Sequence, residues 1–98
     1  MARFDLHRLD GVLVVDLQHD LLDHLPTRVV APLLLPEQAG TPVRDLNPVF
    51  DIEGTPHILA THQLAAVPRR ELGPTIGTLD AGCDTILRAI DILLLTGV

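Results

Sequence analysis

The sequence predicts a mainly β fold that ends in one α-helix. Short apolar runs are separated by residues suited to tight turns, as at Asp10-Gly11 and at residues 53–56. Near the carboxyl end, the spacing of apolar residues changes from the period of a strand to that of a helix. The 98 residues have the length of one compact domain, so we expect a single domain spanning residues 1–98.

Two hairpins account for most of the predicted strands. Residues 4–9 and 12–17 flank Asp10-Gly11, a dipeptide that accepts the positive φ values of a two-residue turn. Residues 49–52 and 57–61 flank a second turn that contains Gly54. Both pairs are therefore predicted to form antiparallel hairpins.

The segment after the first hairpin is polar but carries two adjacent leucines. Residues 18–26 are rich in Asp and His, contain Leu21 and Leu22, and end at a proline, so they predict a loop that exposes both leucines. The apolar run at residues 29–35 predicts a buried strand. Pro32 interrupts it and lacks an N–H group, which indicates a sheet edge or a bulge.

The rest of the chain predicts one loop, short strands and a helix. Residues 36–48 are predicted to form a loop, and residues 67–68 and 72–76 are candidates for short strands. Asp80 or Asp84 is expected to accept hydrogen bonds from the first helical turn, and Gly97 to end the helix. The apolar residues predicted to share one helical face are Ile86, Ala89, Ile90, Leu93 and Leu94.

The composition argues against several classes of protein. Hydrophobic residues make up 47% of the chain, which indicates a globular protein, and the formal net charge of −6 argues against direct binding to nucleic acid. Cys83 is alone and cannot form an internal disulfide, and the first ten residues are too charged for a signal peptide. We expect a cytoplasmic protein without a membrane span, because no apolar run approaches the roughly 20 residues that a span requires.

Signs of catalytic, metal or cofactor chemistry are weak. The chain has no serine, no HExxH pattern and no glycine-rich phosphate loop, and the carboxylates near Cys83 disfavour a reactive thiolate. A solvated loop is the better interpretation of the Asp and His cluster, so we expect no catalytic residue, no cofactor and no metal. That cluster consists of Asp16, His19, Asp20, Asp23 and His24.

Two apolar features point instead to a protein partner. Leu21 and Leu22 stand in a polar loop, and residues 95–98 form a tail with a glycine before the last aliphatic residue. The alternative is that the leucines tuck under the loop while the tail frays. Periodicity alone leaves both possibilities open.

A family resemblance extends over nearly the whole chain. Residues 14–23 read Val-Val-Asp-Leu-Gln-His-Asp-Leu-Leu-Asp, and residues 27–33 continue as Thr-Arg-Val-Val-Ala-Pro-Leu. This string resembles the hallmark of the CcdB toxins. Residues 46–52, the Ala-Ala-Val-Pro at 65–68 and the end from Arg88 onward follow the family's later elements in the same order.

The resemblance implies an SH3-like antiparallel β-barrel or sheet with a C-terminal helix, and a homodimer whose two helix ends lie side by side. It implies a toxin of a type II toxin–antitoxin system, not an enzyme, that binds the A subunit of DNA gyrase and traps the complex with cleaved DNA. It also implies neutralisation by a CcdA-like antitoxin. The gyrase contacts carried over by motif are Leu21, Leu22, Asp91, Thr96, Gly97 and Val98.

Departures from the family pattern keep other functions open. Thr96 stands where the best-known type of the family has Trp, and an extra residue before the tail would align Ile92 in place of Asp91. The alternative function is a nontoxic CcdB-like module that only binds an antitoxin or another protein. A metal-dependent hydrolase or nuclease built on the Asp and His cluster ranks last.

Overall fold

The computed structural model describes residues 2–96, and of Thr96 it describes only the main chain; Gly97 and Val98 lie outside the described residues. Within residues 2–96 the chain forms seven strands and two α-helices. The strands are β1 (Asp5–Leu9), β2 (Val12–Asp16), β3 (Thr27–Leu34), β4 (Val49–Ile52), β5 (Thr55–Leu59), β6 (Ala65–Pro68) and β7 (Gly77–Thr78). The helices are α1 (Pro36–Ala39) and α2 (Cys83–Asp91), and a π-helical segment at Ile92–Thr96 continues α2.

All the strand pairs are antiparallel, and the sheet is curled into an open half-barrel. The strand order is β4-β5-β3-β2-β1-β7, with β6 also paired to β3. The inner face packs on α2, whose Ile86 is fully buried against Val15, Ala31 and Leu59. The predicted mainly β, SH3-like fold with a C-terminal helix is confirmed.

Both predicted hairpins are present, and each has a two-residue turn. Asp10 and Gly11 have φ values of 50° and 81°, and Glu53 and Gly54 have values of 53° and 80°. Positive φ at both central residues matches the right-handed twist of the flanking strands. In the second hairpin the turn is tighter than predicted, because Thr55 already pairs with Ile52 in the sheet.

Pro32 lies inside a central strand, so the predicted sheet edge was wrong, although the pairing on one side of β3 is interrupted at this residue. β3 pairs with β2 on one side, while on the other side it pairs first with β6 and then with β5. The Pro32 carbonyl accepts a hydrogen bond from Ala60 N at 2.9 Å, on the side where β3 changes partners. The proline nitrogen faces the same side, where the ladder is interrupted and a missing N–H is tolerated.

Three local predictions are corrected. Residues 72–76 form no strand, and the pairing with β1 is made by Gly77 and Thr78 instead. The predicted loop at 36–48 contains the short helix α1, which begins at a proline. Neither Asp80 nor Asp84 caps α2: the cap is Gly82, where a Cβ atom would lie 2.7 Å from a ring carbon of Phe50 and leave no room for a capping side chain.

The predicted apolar face of the helix is correct up to its last turn. Ile86 and Ala89 are fully buried, and Ile90 and Leu93 are half-buried. Leu94 is 62% exposed, because the wider π-helical segment rotates the residues beyond Asp91 away from the α-helical period. Within residues 2–96, no helix combines the length and apolar character needed to cross a bilayer.

Candidate functional site

The loop between β2 and β3, residues 18–26, exposes two adjacent leucines; we call it the leucine loop. Leu21 is 80% exposed and Leu22 is 45% exposed. Both lie in a 3₁₀ turn at Asp20–Leu22, where the Leu21 N–H donates to His19 Nδ1 at 3.1 Å. The turn fixes the main chain, while the two leucine side chains contribute little to core packing. Their exposure agrees with the sequence prediction.

A buried ion pair holds the beginning of the leucine loop. Arg28 Nη2 lies 2.7 Å from Asp16 Oδ2, and both side chains are 0% exposed. Asp16 Oδ1 also accepts from Gln18 N at 2.9 Å, so the carboxylate joins the strand to the loop. A buried carboxylate needs such partners, because removing its charge from water is costly.

Gln18 ties the loop to the neighbouring strand. Its Oε1 accepts from Val29 N at 3.1 Å, and its Nε2 donates to the Leu22 carbonyl at 3.0 Å. One buried side chain therefore contacts both the strand after the loop and the loop's own second leucine.

Two arginines hold the other end of the loop through Asp23. Arg28 Nη1 lies 3.0 Å from Asp23 Oδ1, and Arg69 Nη2 lies 3.2 Å from the same oxygen. Arg69 Nη1 also donates to the Asp23 carbonyl, and Arg69 N donates to the Pro26 carbonyl at 2.9 Å. Charge-assisted bonds of this kind restrict the loop at both ends.

A mostly apolar groove runs between the leucine loop and the C-terminal helix. It has a volume of about 470 Å³, and Leu22 forms part of one wall while Ile90 and Leu94 form part of another. The other lining residues are Arg3, Leu17, Gln18, His19, Leu25, Thr27, Val29 and Leu64. The fold thus brings the predicted leucine pair beside the end of the helix within one protomer, although Leu21 itself does not line the groove.

The end of the helix adds further exposed apolar surface to this region. Leu95 is 80% exposed and Leu94 is 62% exposed, and both follow the half-buried Asp91, the last residue of α2. Thr96 ends the π-helical segment. Gly97 and Val98, the other two predicted tail contacts, lie outside the described residues.

The Asp and His cluster of the loop does not converge on one point. Asp16 and Asp23 face arginines, and His19 accepts from the main chain of the loop. In residues 2–96 no group of three or more His, Cys, Asp or Glu side chains could hold a metal ion. Cys83 is half-buried, with Sγ 3.9 Å from Asp84 Oδ1.

A second apolar groove lies on the outer face of the sheet, across from the core. It has a volume of about 310 Å³, and its apolar lining is drawn from β1, β2, β3 and β6. Val12, in the first hairpin, is 41% exposed at this face. The residues that form it are Leu9, Asp10, Val12, Val14, Val30, Pro32, Gln63, Ala65 and Val67.

Comparisons with known proteins agree with this architecture. The family model described as CcdB protein matches residues 3–97, nearly the whole chain. No curated protein sequence matches. A crystal structure of an Mtb toxin is similar with a TM-score of 0.71 and 19% identity, covering 87% of this chain and 94% of that chain. The Mycobacterium tuberculosis toxin MazF-mt6 is similar with a TM-score of 0.71 and 21% identity, covering 89% and 92%. At these identities the two toxins support the fold alone.

Proposed function

The chain belongs to the CcdB family, and from this we propose that it is the toxin of a type II toxin–antitoxin system and acts by binding the A subunit of DNA gyrase. In this proposal the toxin enters the dimerisation region of that subunit while gyrase holds cleaved DNA, so religation fails and replication and transcription stop. The toxin binds and performs no chemistry of its own.

The observation that carries the proposal is the shared groove of Leu22 and Leu94, with Leu21 exposed next to Leu22. Leu21, Leu22 and Leu94 are between 45% and 80% exposed, and burying a fully exposed leucine side chain gains roughly 2 kcal/mol. A protein partner that covers them gains an apolar centre surrounded by polar residues, as specific interfaces have. In the sequence, residues 96–98 follow directly on Leu94 and Leu95.

Removing residues 96–98 tests the proposed target. Expression of the intact chain is expected to arrest growth with DNA damage, and the purified chain to bind the A subunit of its host's gyrase. The truncated chain should lose at least about tenfold in affinity and relieve the arrest, because it lacks the proposed tail contacts. Titration calorimetry and growth curves measure the two effects. Full toxicity of the truncated chain would exclude this mode of binding.

The same proposal includes a homodimer with the two helix ends side by side. Leu95, 80% exposed in the single chain, would then be covered by the partner copy. We expect sedimentation at twice the 10.6 kDa mass of one chain. Leu95→Glu should raise the dimer dissociation constant roughly 100-fold, because it buries an unpaired charge. Ile76→Glu, at a position that is 51% exposed elsewhere, is the control. A monomeric wild-type chain would contradict this arrangement.

A CcdA-like antitoxin is the second proposed partner. The outer groove at Val12 and Val14, on the first hairpin, is an apolar surface separate from the leucine loop, which supports a role for this hairpin in antitoxin binding. Both proposed partners act in the cytoplasm. If the chain binds antitoxin tightly and forms no complex with the A subunit of its host's gyrase, the alternative of a nontoxic antitoxin-binding module is favoured instead.

A further inference from the structure

Arg69 reaches the leucine loop from a distant part of the sequence. It begins the 3₁₀ turn Arg69–Glu71, directly after β6, and contacts the loop at Asp23, 46 residues earlier. Its guanidinium engages the Asp23 carboxylate and the Asp23 carbonyl, and its main-chain N–H donates to Pro26. Arg69 therefore contacts both the side chain and the main chain of the loop's second half, and it shares the Asp23 carboxylate with Arg28.

The position of Arg69 is itself set by the sheet. β6 pairs with β3 in a register that places Pro68 opposite Thr27 and Val67 opposite Arg28. Thr27 is the first residue after the leucine loop, so the pairing delivers Arg69 to the point where the loop ends. The contact of Arg69 with Asp23 is therefore anchored to rigid strands and not to another loop.

Arg69 differs from Arg28 in its exposure. Arg28 also contacts Asp23, but it is 0% exposed and neutralises the buried Asp16, so replacing it would lower the stability of the fold. The Arg69 side chain is 35% exposed, and the Asp23 side chain it meets is 49% exposed. An ion pair this open contributes little to overall stability, yet its bonds to Asp23 restrict the main chain next to Leu21 and Leu22.

We propose that Arg69 is a positioning residue that holds the leucine loop in the conformation that its partner binds. The inference rests on the proposed function for the identity of that partner, the A subunit of gyrase. A loop held in its binding conformation loses less freedom on association, and the fraction of chains ready to bind is larger. Weakening the contact of Arg69 with Asp23 then slows association with the partner without unfolding the protein.

Arg69→Gln tests this role, with Arg70→Gln as the matched control at the exposed neighbouring position. We expect Arg69→Gln to slow association with the gyrase A subunit roughly three- to tenfold, measured by surface plasmon resonance, with the thermal unfolding midpoint within about 2 °C of wild type. Arg70→Gln, with the same loss of charge, should change the rate less than about twofold. Equal rates for the two variants would overturn the proposal.

Two further measurements separate positioning from a general effect. In a double-mutant cycle, Arg69→Gln should lose its effect when Leu21 and Leu22 are both replaced by alanine, and simple additivity would count against the role. Amide hydrogen exchange of the free protein should accelerate at Leu21 and Leu22 in Arg69→Gln alone. The exchange measurement needs no gyrase, so it tests Arg69 independently of the proposed function. Unchanged exchange at the two leucines would overturn the role of Arg69. A wild-type chain that does not bind the gyrase A subunit would instead contradict the proposed function.

Discussion

Replacing Arg28 with methionine is expected to lower the free energy of unfolding by about 3 to 5 kcal/mol. The substitution leaves the Asp16 carboxylate buried at 0% exposure with its cationic partner removed. A loss of this size is a large share of the free energy of unfolding of a domain of this length. We therefore expect the variant to be partly unfolded at room temperature. Urea denaturation followed by far-UV circular dichroism measures it.

Two controls distinguish the cost of an unpaired charge from a general loss of packing. Arg88→Met removes a 70% exposed guanidinium that lies 3.6 Å from Asp45, and should cost less than about 1 kcal/mol. The double variant Asp16→Leu with Arg28→Met should be more stable than Arg28→Met alone, because no charge then remains buried. If the double variant were the less stable of the two, the assigned cause would be wrong.

Replacing Leu21 and Leu22 together with alanine is expected to weaken binding to the A subunit of DNA gyrase by at least about 100-fold and to abolish growth arrest. The two side chains are 80% and 45% exposed, so their truncation removes apolar contact with a partner far more than contact within the fold. The few residues that dominate an interface cluster near its centre, and each costs roughly 2 kcal/mol or more on truncation. Calorimetry and growth assays measure the two effects.

The matched control for this pair is the double replacement of Val43 and Val49 with alanine. Both valines are 56% exposed, and neither lines the groove beside the leucine loop. The control should bind the A subunit of gyrase as the wild type does, and both variants should unfold within about 1 kcal/mol of it. Wild-type toxicity of the Leu21 and Leu22 variant would remove the leucine loop from the proposed interface.

The features predicted correctly from sequence are those fixed by neighbouring residues. Asp10-Gly11 and Gly54 tolerate the positive φ values that a hairpin turn requires, so each hairpin could be identified from its own turn. The buried face at Ile86 and Ala89 follows from helical spacing in the same way. The exposure of the leucine loop could be predicted because polar residues surround its two leucines.

The features that were missed depend on residues far apart in the chain. From the local sequence, Pro32 predicts a strand edge. Its missing N–H is tolerated inside the sheet only because β3 changes partner from β6 to β5 at this point. Gly82 replaces a capping aspartate because the ring of Phe50 occupies the space. The contact of Arg69 with Asp23 joins residues 46 apart, and no periodic pattern links them.

Because side chains alternate between the two faces of β3, the buried Arg28 guanidinium helps to fix the alignment of this strand. Val29, Ala31 and Leu33 face the core, while Arg28 and Val30 face the opposite side of the sheet. Sliding β3 by one residue would exchange the two sets, drive a cation into hydrocarbon and leave Asp16 opposite an aliphatic group. A one-residue shift would therefore leave both a buried cation and a buried carboxylate unpaired, and this cost holds in place the strand that follows the leucine loop.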